Sequence, residues 1–99
     1  MASKSGRYSL SPLAESDLEE IWRYTVENWS AKQAEAYHAD IIDAFEGLAS
    51  GLKAGRRADI REGYFKYSVG SHLIYYRQQD SEIAIIRILH QRMDVSPHL

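Results

Sequence analysis

Four side chains in the second half of the chain have the types that cleavage of RNA would require: Arg61, Lys66, Arg77 and His90. Cutting RNA at its own 2′-hydroxyl without a metal needs a general base, a general acid and cations that stabilise the pentacoordinate phosphate. Arg61, Arg77 and His90 are the catalytic candidates within this set. Arginines on strands equally pair with acids, and an enzyme that acts on phosphate usually carries positive net charge. The net charge here is −2, so we expect no catalytic residue and keep this set as the alternative.

The other reactive side chains show no spacing typical of a metal, nucleotide or nucleophile site. The four histidines lack the intervals of metal ligands, and no serine stands in a Gly-x-Ser-x-Gly elbow. Cysteine is absent from the sequence, which removes disulfides, thiolate metal sites and thiol nucleophiles. We therefore expect neither a bound metal nor a cofactor.

The length and composition predict one folded domain spanning residues 1–99. Hydrophobic residues make up 44% of the sequence and charged residues 26%, which is typical of a globular protein. The leader, residues 1–6, lacks the apolar core of a signal peptide, and we expect it to be disordered. The apolar runs are too short for a membrane span, so we expect a cytoplasmic protein.

Apolar residues at three- and four-residue steps predict two helices. The first begins at Ser11-Pro12, which read as an N-cap and a proline at the first helical position, and runs for roughly 17 residues. Ser30 and Gln33 have the spacing of a capping box that starts the second helix, and Gly51 is placed to end it. Because the connection is so short, the two helices should form an antiparallel hairpin.

Alternating apolar residues predict a strand at Arg7–Leu10 and three strands after Gly63. The segment from Gly51 to Gly63 has no periodicity and is expected to be an exposed loop. The three later strands form an antiparallel meander with turns at Gly70-Ser71 and Asp80-Ser81, and they cover residues 64–69, 72–79 and 82–89. The predicted fold class is α+β, with β-αα-βββ order and the hairpin packed on one face of an antiparallel sheet.

Two features of this fold point to partners. The strands are apolar on both faces, so the face without helices should be covered in part by the C-terminal segment or by another chain. Charge is also divided along the sequence: residues 13–50 hold nine acids and two bases, a balance of −7, whereas residues 51–79 hold six bases and two acids, a balance of +4.

From Tyr8 to Leu99 the chain resembles the ParE branch of the RelE/ParE toxin superfamily. The stretches that carry the resemblance are Tyr8-Ser-Leu-Ser-Pro-Leu-Ala-Glu-Ser-Asp-Leu-Glu-Glu-Ile-Trp22, Gly63-Tyr64, Gly70-Ser71-His72 with Tyr76-Arg77, and Arg87-Ile-Leu-His-Gln-Arg-Met-Asp94. The resemblance implies the β-αα-βββ fold and a toxin of a type II toxin–antitoxin system. It further implies a ParD-like antitoxin and, as in characterised members, inhibition of DNA gyrase by protein–protein binding.

Two other functions stay open at this point. Relatives of the RelE type cut messenger RNA in the ribosome, and Arg61, Arg77 and His90 fall where parts of such a basic set lie. The first alternative is therefore a ribosome-dependent endoribonuclease. The second is a degenerate toxin that only binds its antitoxin and helps to repress their operon.

The surplus apolar area beside the basic segment, residues 51–79, suggests where the antitoxin binds. We expect the antitoxin to form a heterotetramer or larger assembly with the toxin, and operator DNA to be contacted only through the antitoxin. Aromatic and arginine side chains are the usual anchors of tight interfaces. The predicted antitoxin contacts are Trp22, Trp29, Arg56, Arg57, Arg61, Tyr64, Tyr75 and Arg77. Acidic antitoxin side chains should meet Arg56, Arg57 and Arg61.

The gyrase target is assigned to the C-terminal segment. The predicted target contacts are Arg92, Met93, Asp94, Val95, His98 and Leu99. Pro97 prevents a regular helix there. We expect Met93 to pack against the domain and the residues beyond it to be presented to the target.

Overall fold

The computed structural model describes residues 7–99, so the expectation of a disordered leader at residues 1–6 lies outside the described chain. The elements are β1 Arg7–Leu10, α1 Pro12–Asn28, α2 Ala31–Ser50, β2 Arg56–Arg57, β3 Tyr64–Val69, β4 His72–Gln79, β5 Glu82–His90 and a short 3-10 turn Ser96–His98. The predicted α+β class and the order of a strand, a helical hairpin and a meander are confirmed.

The helix ends follow from the caps that the sequence supplies. Ser11 Oγ accepts the Ala14 N–H at 3.0 Å, and Ser30 Oγ accepts the Gln33 N–H at 3.0 Å. Each bond satisfies one backbone donor that a helix start leaves free. Gly51 ends α2 in the left-handed conformation, at φ 84°.

The sheet has the strand order β1-β5-β4-β3-β2 and is mixed. β1 runs parallel to β5, with Arg7 opposite Glu82 and Leu10 opposite Ile85, so the prediction of a wholly antiparallel sheet is wrong for this pair. The helical hairpin and strands β2 to β4 lie between these two strands in sequence, and such a long connection lets β1 pair in parallel at the edge of the sheet.

The segment between α2 and β3 also differs from the prediction of a loop. Arg56 and Arg57 form β2, an antiparallel edge strand opposite Lys66 and Phe65. The Gly55 N–H donates to Tyr76 Oη at 2.8 Å, which fixes the chain just before β2. A strand of two residues is too short to show a period of two, so the sequence pattern could not reveal it.

The meander turns where the sequence predicts. Gly70 and Asp80, at the two turns, have positive φ values of 55° and 53°. The pairing of β4 with β5 shifts in register between Tyr75 and Tyr76, because Ile86 is an extra residue in β5. β5 extends one residue further than predicted, to His90, which lies opposite His72.

The two faces of the sheet bury different clusters. Helices α1 and α2 cover one face, where Ile41, Phe45, Ile74 and Ile85 are fully buried. On the other face Tyr75 and Leu89 are buried together with Ala58, and Val95 and Leu99 of the C-terminal segment pack against them. The expectation that the C-terminal segment covers part of the second face is therefore confirmed.

The packing within that segment reverses what the sequence suggested. Met93 is 46% exposed, whereas Val95 and Leu99 are half-buried. The reason is the turn after β5, in which the Met93 N–H donates to the His90 carbonyl at 2.9 Å. Since this turn occupies the first residues of the segment, the chain returns to the sheet face only at Val95.

Candidate interaction surfaces

Basic residues gather around one tyrosine at the β2 edge of the sheet. The guanidinium carbons of Arg61 and Arg77 lie 5.6 Å and 5.7 Å from the centre of the Tyr64 ring. Arg77 pairs directly with Tyr64 across β3 and β4. We call Arg56, Arg57, Arg61, Tyr64 and Arg77 the basic corner. Its four arginines are exposed.

A hollow of about 540 Å³ opens within this corner and includes Arg57, Arg61 and Tyr64 in its lining, with Asp59 and Glu62 at its rim. Within residues 7–99, none of the four corner arginines has a carboxylate oxygen within 4.0 Å. Arginines stacked on an aromatic ring and free of ion pairs can bind carboxylates or phosphates of a partner in bidentate fashion. The structure thus brings together four of the eight residues predicted to meet the antitoxin, Arg57, Arg61, Tyr64 and Arg77, and Arg56 adjoins them on β2.

The two predicted tryptophans lie on the helical hairpin instead. Trp22 lines a groove of about 760 Å³ together with the apolar side chains of Leu18 and Val26 and with His38 of α2. The charged residues along it are Glu15, Glu19, Arg23 and Glu27. We call this the hairpin groove. Trp22 is 38% exposed and its ring stands edge-on to the His38 ring, with the centroids 5.9 Å apart. Trp29, just after α1, is 70% exposed. An apolar groove with exposed aromatic rings is typical of a surface that takes a partner's side chains.

Tyr75, the eighth predicted contact, does not belong to either surface. Its side chain is 2% exposed, within the cluster that Val95 and Leu99 cover, and burial raises the pKa of its hydroxyl. A partner cannot reach this ring while the C-terminal segment is in place. The alternating pattern of β4 could not show this, because it gives the face of a strand but not what lies over that face.

A largely buried ion pair ties the C-terminal segment to α1 and β5. Arg87 donates from Nε and Nη2 to the two oxygens of Asp17, both at 2.8 Å, and from Nη1 to the His98 carbonyl at 3.4 Å. Asp17 also accepts the Ile88 N–H at 2.9 Å. Hydrogen bonding to Asp17 raises the pKa of Arg87 further. Sequence reasoning missed this pair because 70 residues separate its members and no motif joins them.

Two histidines meet at the other end of the meander. His72 and His90 lie opposite each other on β4 and β5, and their ring centroids are 5.3 Å apart. Tyr37 Oη of α2 lies 2.7 Å from His72 Nδ1 and donates to the Val69 carbonyl at 2.9 Å. Both imidazoles line a cleft of about 270 Å³. Burial lowers the pKa of His72, and His90 lowers it further, while Asp17 opposes the shift.

The three catalytic candidates are split by this geometry. Arg61 and Arg77 belong to the basic corner, whereas His90 pairs with His72. His72 and Arg77 are five positions apart on β4, a distance of about 17 Å along a strand. A general base and its phosphate-binding cations must all reach one phosphate, so these residues do not form one site.

Within residues 7–99 no cluster of three or more histidine, aspartate or glutamate side chains is arranged to hold a metal ion. In the same part of the chain, no helix has the length and apolar character needed to cross a membrane.

The fold and these surfaces define the class: a small α+β domain, with a helical hairpin on a five-stranded sheet, that presents a basic corner and an apolar groove. Residues 8–95 match the family described as the ParE toxin of the type II toxin–antitoxin system parDE. The chain belongs to the ParE toxin family.

Two ParE toxins from other bacteria are similar to this chain over nearly its whole length. Toxin ParE1 of Mycobacterium tuberculosis is 45% identical over 97 residues, which cover 96% of this chain and 99% of that toxin. Toxin ParE1 of Caulobacter vibrioides is 36% identical over 93 residues, covering 93% of this chain and 96% of that toxin.

Solved structures show the same fold at low sequence identity. A chain of the chromosomal ParDE toxin–antitoxin system from P. aeruginosa superposes with a TM-score of 0.73 at 21% identity, covering 87% of this chain and 95% of that one. A chain of the RelBE2 toxin–antitoxin complex from Mycobacterium tuberculosis gives a TM-score of 0.60 at 20% identity, covering 90% and 94%.

Proposed function

We propose that this toxin acts in the cytoplasm by binding and inhibiting DNA gyrase, and that a ParD-like antitoxin neutralises it in a heterotetramer or larger complex. The family match over residues 8–95 carries this proposal. Operator DNA is contacted through the antitoxin and not by this chain. The toxin supplies surfaces for binding and no catalytic group.

The placement of the charged residues supports a binding mechanism. Because the basic corner and His90 lie at opposite ends of β4, the set that would cleave RNA is divided between two sites. Gripping a protein target needs complementary surfaces, and separate surfaces on one small domain also let two partners compete or bind in turn.

The antitoxin has two surfaces to engage. The hairpin groove takes apolar side chains beside Trp22, and the exposed Trp29 ring after α1 offers a further contact. The basic corner takes acidic side chains at Arg56, Arg57 and Arg61. Tyr75 is left out of this interface because it is covered by the C-terminal segment.

Charge reversal tests the basic half of that interface. Arg57→Glu with Arg61→Glu should weaken binding of the antitoxin encoded beside the toxin by about 100-fold or more, since attraction at two positions becomes repulsion. Isothermal titration calorimetry at 150 mM salt measures this, a condition at which the Debye length is about 8 Å. Lys32→Glu reverses the charge of an exposed side chain in the first turn of α2, outside the basic corner, and should have little effect. Unchanged affinity in the first variant would disprove the electrostatic contact.

The target is assigned to the C-terminal segment. Arg92, Met93 and Asp94 are exposed and are the first residues that a target can reach, while Val95, His98 and Leu99 are half-buried and hold the segment in place. We therefore place the contacting part of the segment at residues 92–94 and the anchoring part at residues 95–99.

Inducible expression distinguishes gyrase inhibition from RNA cleavage. The proposal predicts filamentous cells, a DNA-damage response and loss of supercoiling by purified gyrase in the presence of the toxin. Messenger RNA on translating ribosomes should stay intact. Ribosomal cleavage that disappears in His90→Ala would instead establish the endoribonuclease. A toxin that binds the antitoxin but neither arrests growth nor inhibits gyrase would be a degenerate co-repressor.

A further inference from the structure

The first turn of the C-terminal segment depends on a histidine nitrogen. Three backbone N–H groups fix this turn: Gln91 donates to the Ser71 carbonyl at 2.8 Å, Met93 to the His90 carbonyl at 2.9 Å, and Arg92 to His90 Nδ1 at 3.1 Å. The first two acceptors are carbonyl oxygens, which do not titrate. The third is an imidazole nitrogen, which accepts a hydrogen bond only while it carries no proton.

The hydrogen bonds also fix which nitrogen of each ring carries a proton. Because His90 Nδ1 accepts from Arg92, neutral His90 has its proton on Nε2. Tyr37 has one hydroxyl proton and donates it to the Val69 carbonyl, so its contact with His72 is a hydrogen bond only if His72 Nδ1 donates. The two rings therefore differ: a proton added to His72 goes to Nε2 and breaks no bond, whereas a proton added to His90 goes to Nδ1.

Charged and titratable groups from every neighbouring element face the pair of histidines, His72 and His90. Helix α1 places Asp17, Glu20 and Tyr24 along the cleft, α2 contributes Tyr37 with Asp40 nearby, and the segment itself contributes Arg92. Asp17 is held by Arg87, which offsets its charge. Glu20 is exposed, so solvent screens it. The nearest group to the His90 ring that can become positive and is buried in part is His72, with the ring centroids 5.3 Å apart.

We propose that His90 is a proton-sensitive positioning residue of the C-terminal segment: neutral, it fixes the turn that presents Arg92, Met93 and Asp94, and protonated, it releases that turn. Protonation converts the acceptor of the Arg92 N–H into a donor, so two N–H groups then face each other. The change is confined to residues 91–94. Val95 and Leu99 stay packed on Tyr75 and Leu89, and Arg87 still holds the His98 carbonyl.

This inference is independent of the identity of the target, because it concerns the free toxin. It implies that a gyrase-binding segment, if the proposed function holds, is ordered at neutral pH and loosened below it.

Hydrogen exchange of single amides tests the proposal. The full chain, labelled with 15N by cell-free synthesis, is examined by NMR between pH 5 and 8, the range in which histidines ordinarily titrate. After correction for intrinsic exchange rates, protection of the Arg92 amide should fall at least tenfold toward acid pH. The pH at the midpoint of this loss of protection should match the midpoint of the chemical-shift change of His90 Nδ1. The Gly55 amide, bonded to Tyr76 Oη, serves as the control and should keep its protection.

Two variants separate the switch from a general loss of stability. His90→Asn keeps an acceptor that does not titrate, so the Arg92 amide should stay protected across the whole range. His72→Asn keeps a donor for Tyr37 and removes the second imidazole, so the loss of Arg92 protection toward acid pH should persist in this variant. Constant Arg92 protection while His90 titrates, or a pH dependence that persists in His90→Asn, would overturn the proposal. Failure of gyrase inhibition would leave these readouts unchanged.

Discussion

At the scale of single residues, Asp17 carries more of the architecture than any residue that the sequence pattern singled out. Its carboxylate joins α1 to the Arg87 guanidinium and to the Ile88 N–H, which β1 leaves free because that strand ends opposite Ile85. The Asp17 and Arg87 side chains are only 14% and 13% exposed. A charge so poorly solvated depends on its partner.

Removing that partner should therefore be costly. Asp17→Ala leaves the largely buried Arg87 guanidinium without a counter-ion, and we expect the free energy of unfolding to fall by about 3 to 5 kcal/mol. Asp43→Ala is the matched control, because Asp43 forms an ion pair with Lys53 at 3.3 Å but is 73% exposed. That change should cost less than about 1 kcal/mol. Urea denaturation measures both, and equal losses would contradict the role given to Asp17.

At the scale of elements, two glycines with positive φ end their elements in different surroundings. Gly51 ends α2 at φ 84°, with no atom within 4 Å of the position that a Cβ would occupy. Gly70 turns β3 into β4 at φ 55°, where a Cβ would lie 2.6 Å from the Tyr37 ring. Tyr37 is bonded to Val69 and His72 and cannot easily move.

Alanine at these two positions should have unequal effects. Gly51→Ala adds the strain of a left-handed alanine alone, about 1 kcal/mol. Gly70→Ala adds a similar strain and also displaces Tyr37, so we expect about 2 to 4 kcal/mol in total. Denaturant unfolding of the two variants measures the difference. A Gly70→Ala variant no less stable than Gly51→Ala would show that the Tyr37 contact is unimportant.

The C-terminal segment contributes more to stability than the sequence suggested, because Val95 and Leu99 pack on the sheet. Truncation after Asp94 removes Val95 and Leu99 and uncovers Tyr75 and Leu89, so the free energy of unfolding should fall by about 2 to 3 kcal/mol. Met93→Ser changes a side chain that is already 46% exposed, so the free energy of unfolding should change by less than about 0.5 kcal/mol.

Thermal unfolding measures the stability of both variants, and a supercoiling assay with purified gyrase measures their inhibition. The proposed function expects Met93→Ser to lose inhibition without losing stability. Full inhibition by a stable Met93→Ser variant would remove Met93 from the target surface.

At the scale of the whole molecule, buried titratable rings limit stability at both ends of the pH range. Burial lowers the pKa of His72, so the unfolded chain binds a proton that the folded chain resists. Burial also raises the pKa of four tyrosines, Tyr8, Tyr37, Tyr75 and Tyr76. In alkali the unfolded chain loses those protons first.

The sign of each effect follows from linkage. The free energy of unfolding should decrease as pH falls through about 6.5, where an unperturbed histidine charges, and should decrease again as pH rises above about 10, where unperturbed tyrosines ionise. Denaturation at a series of pH values measures this profile. His72→Asn should reduce the loss of unfolding free energy toward acid pH and leave the loss toward alkaline pH unchanged. Tyr75→Phe should flatten the alkaline limb, while Tyr24→Phe, at a side chain that is 63% exposed, should not. A profile that stays flat above pH 10 would contradict the burial of the tyrosines.

The local elements were determined by the sequence itself. Ser11, Ser30 and Gly51 set the helix ends, and the change of period after Gly63 predicted the three strands, because caps, turns and periodicity depend on neighbours within a few residues. The ordered motifs from Tyr8 onward also indicated the ParE family, which the match over residues 8–95 confirms. The gathering of Arg57, Arg61 and Tyr64 was suggested by their closeness in sequence.

Only the tertiary structure decided how distant segments meet. The parallel pairing of β1 with β5, the bond from Asp17 to Arg87, the pairing of His72 with His90 and the cover of Val95 over Tyr75 all join residues 18 or more positions apart. Such contacts depend on the register of the strands and on which chain covers each sheet face. A pattern of alternating residues leaves both undetermined, since it tells the two faces of a strand apart but not what packs against them.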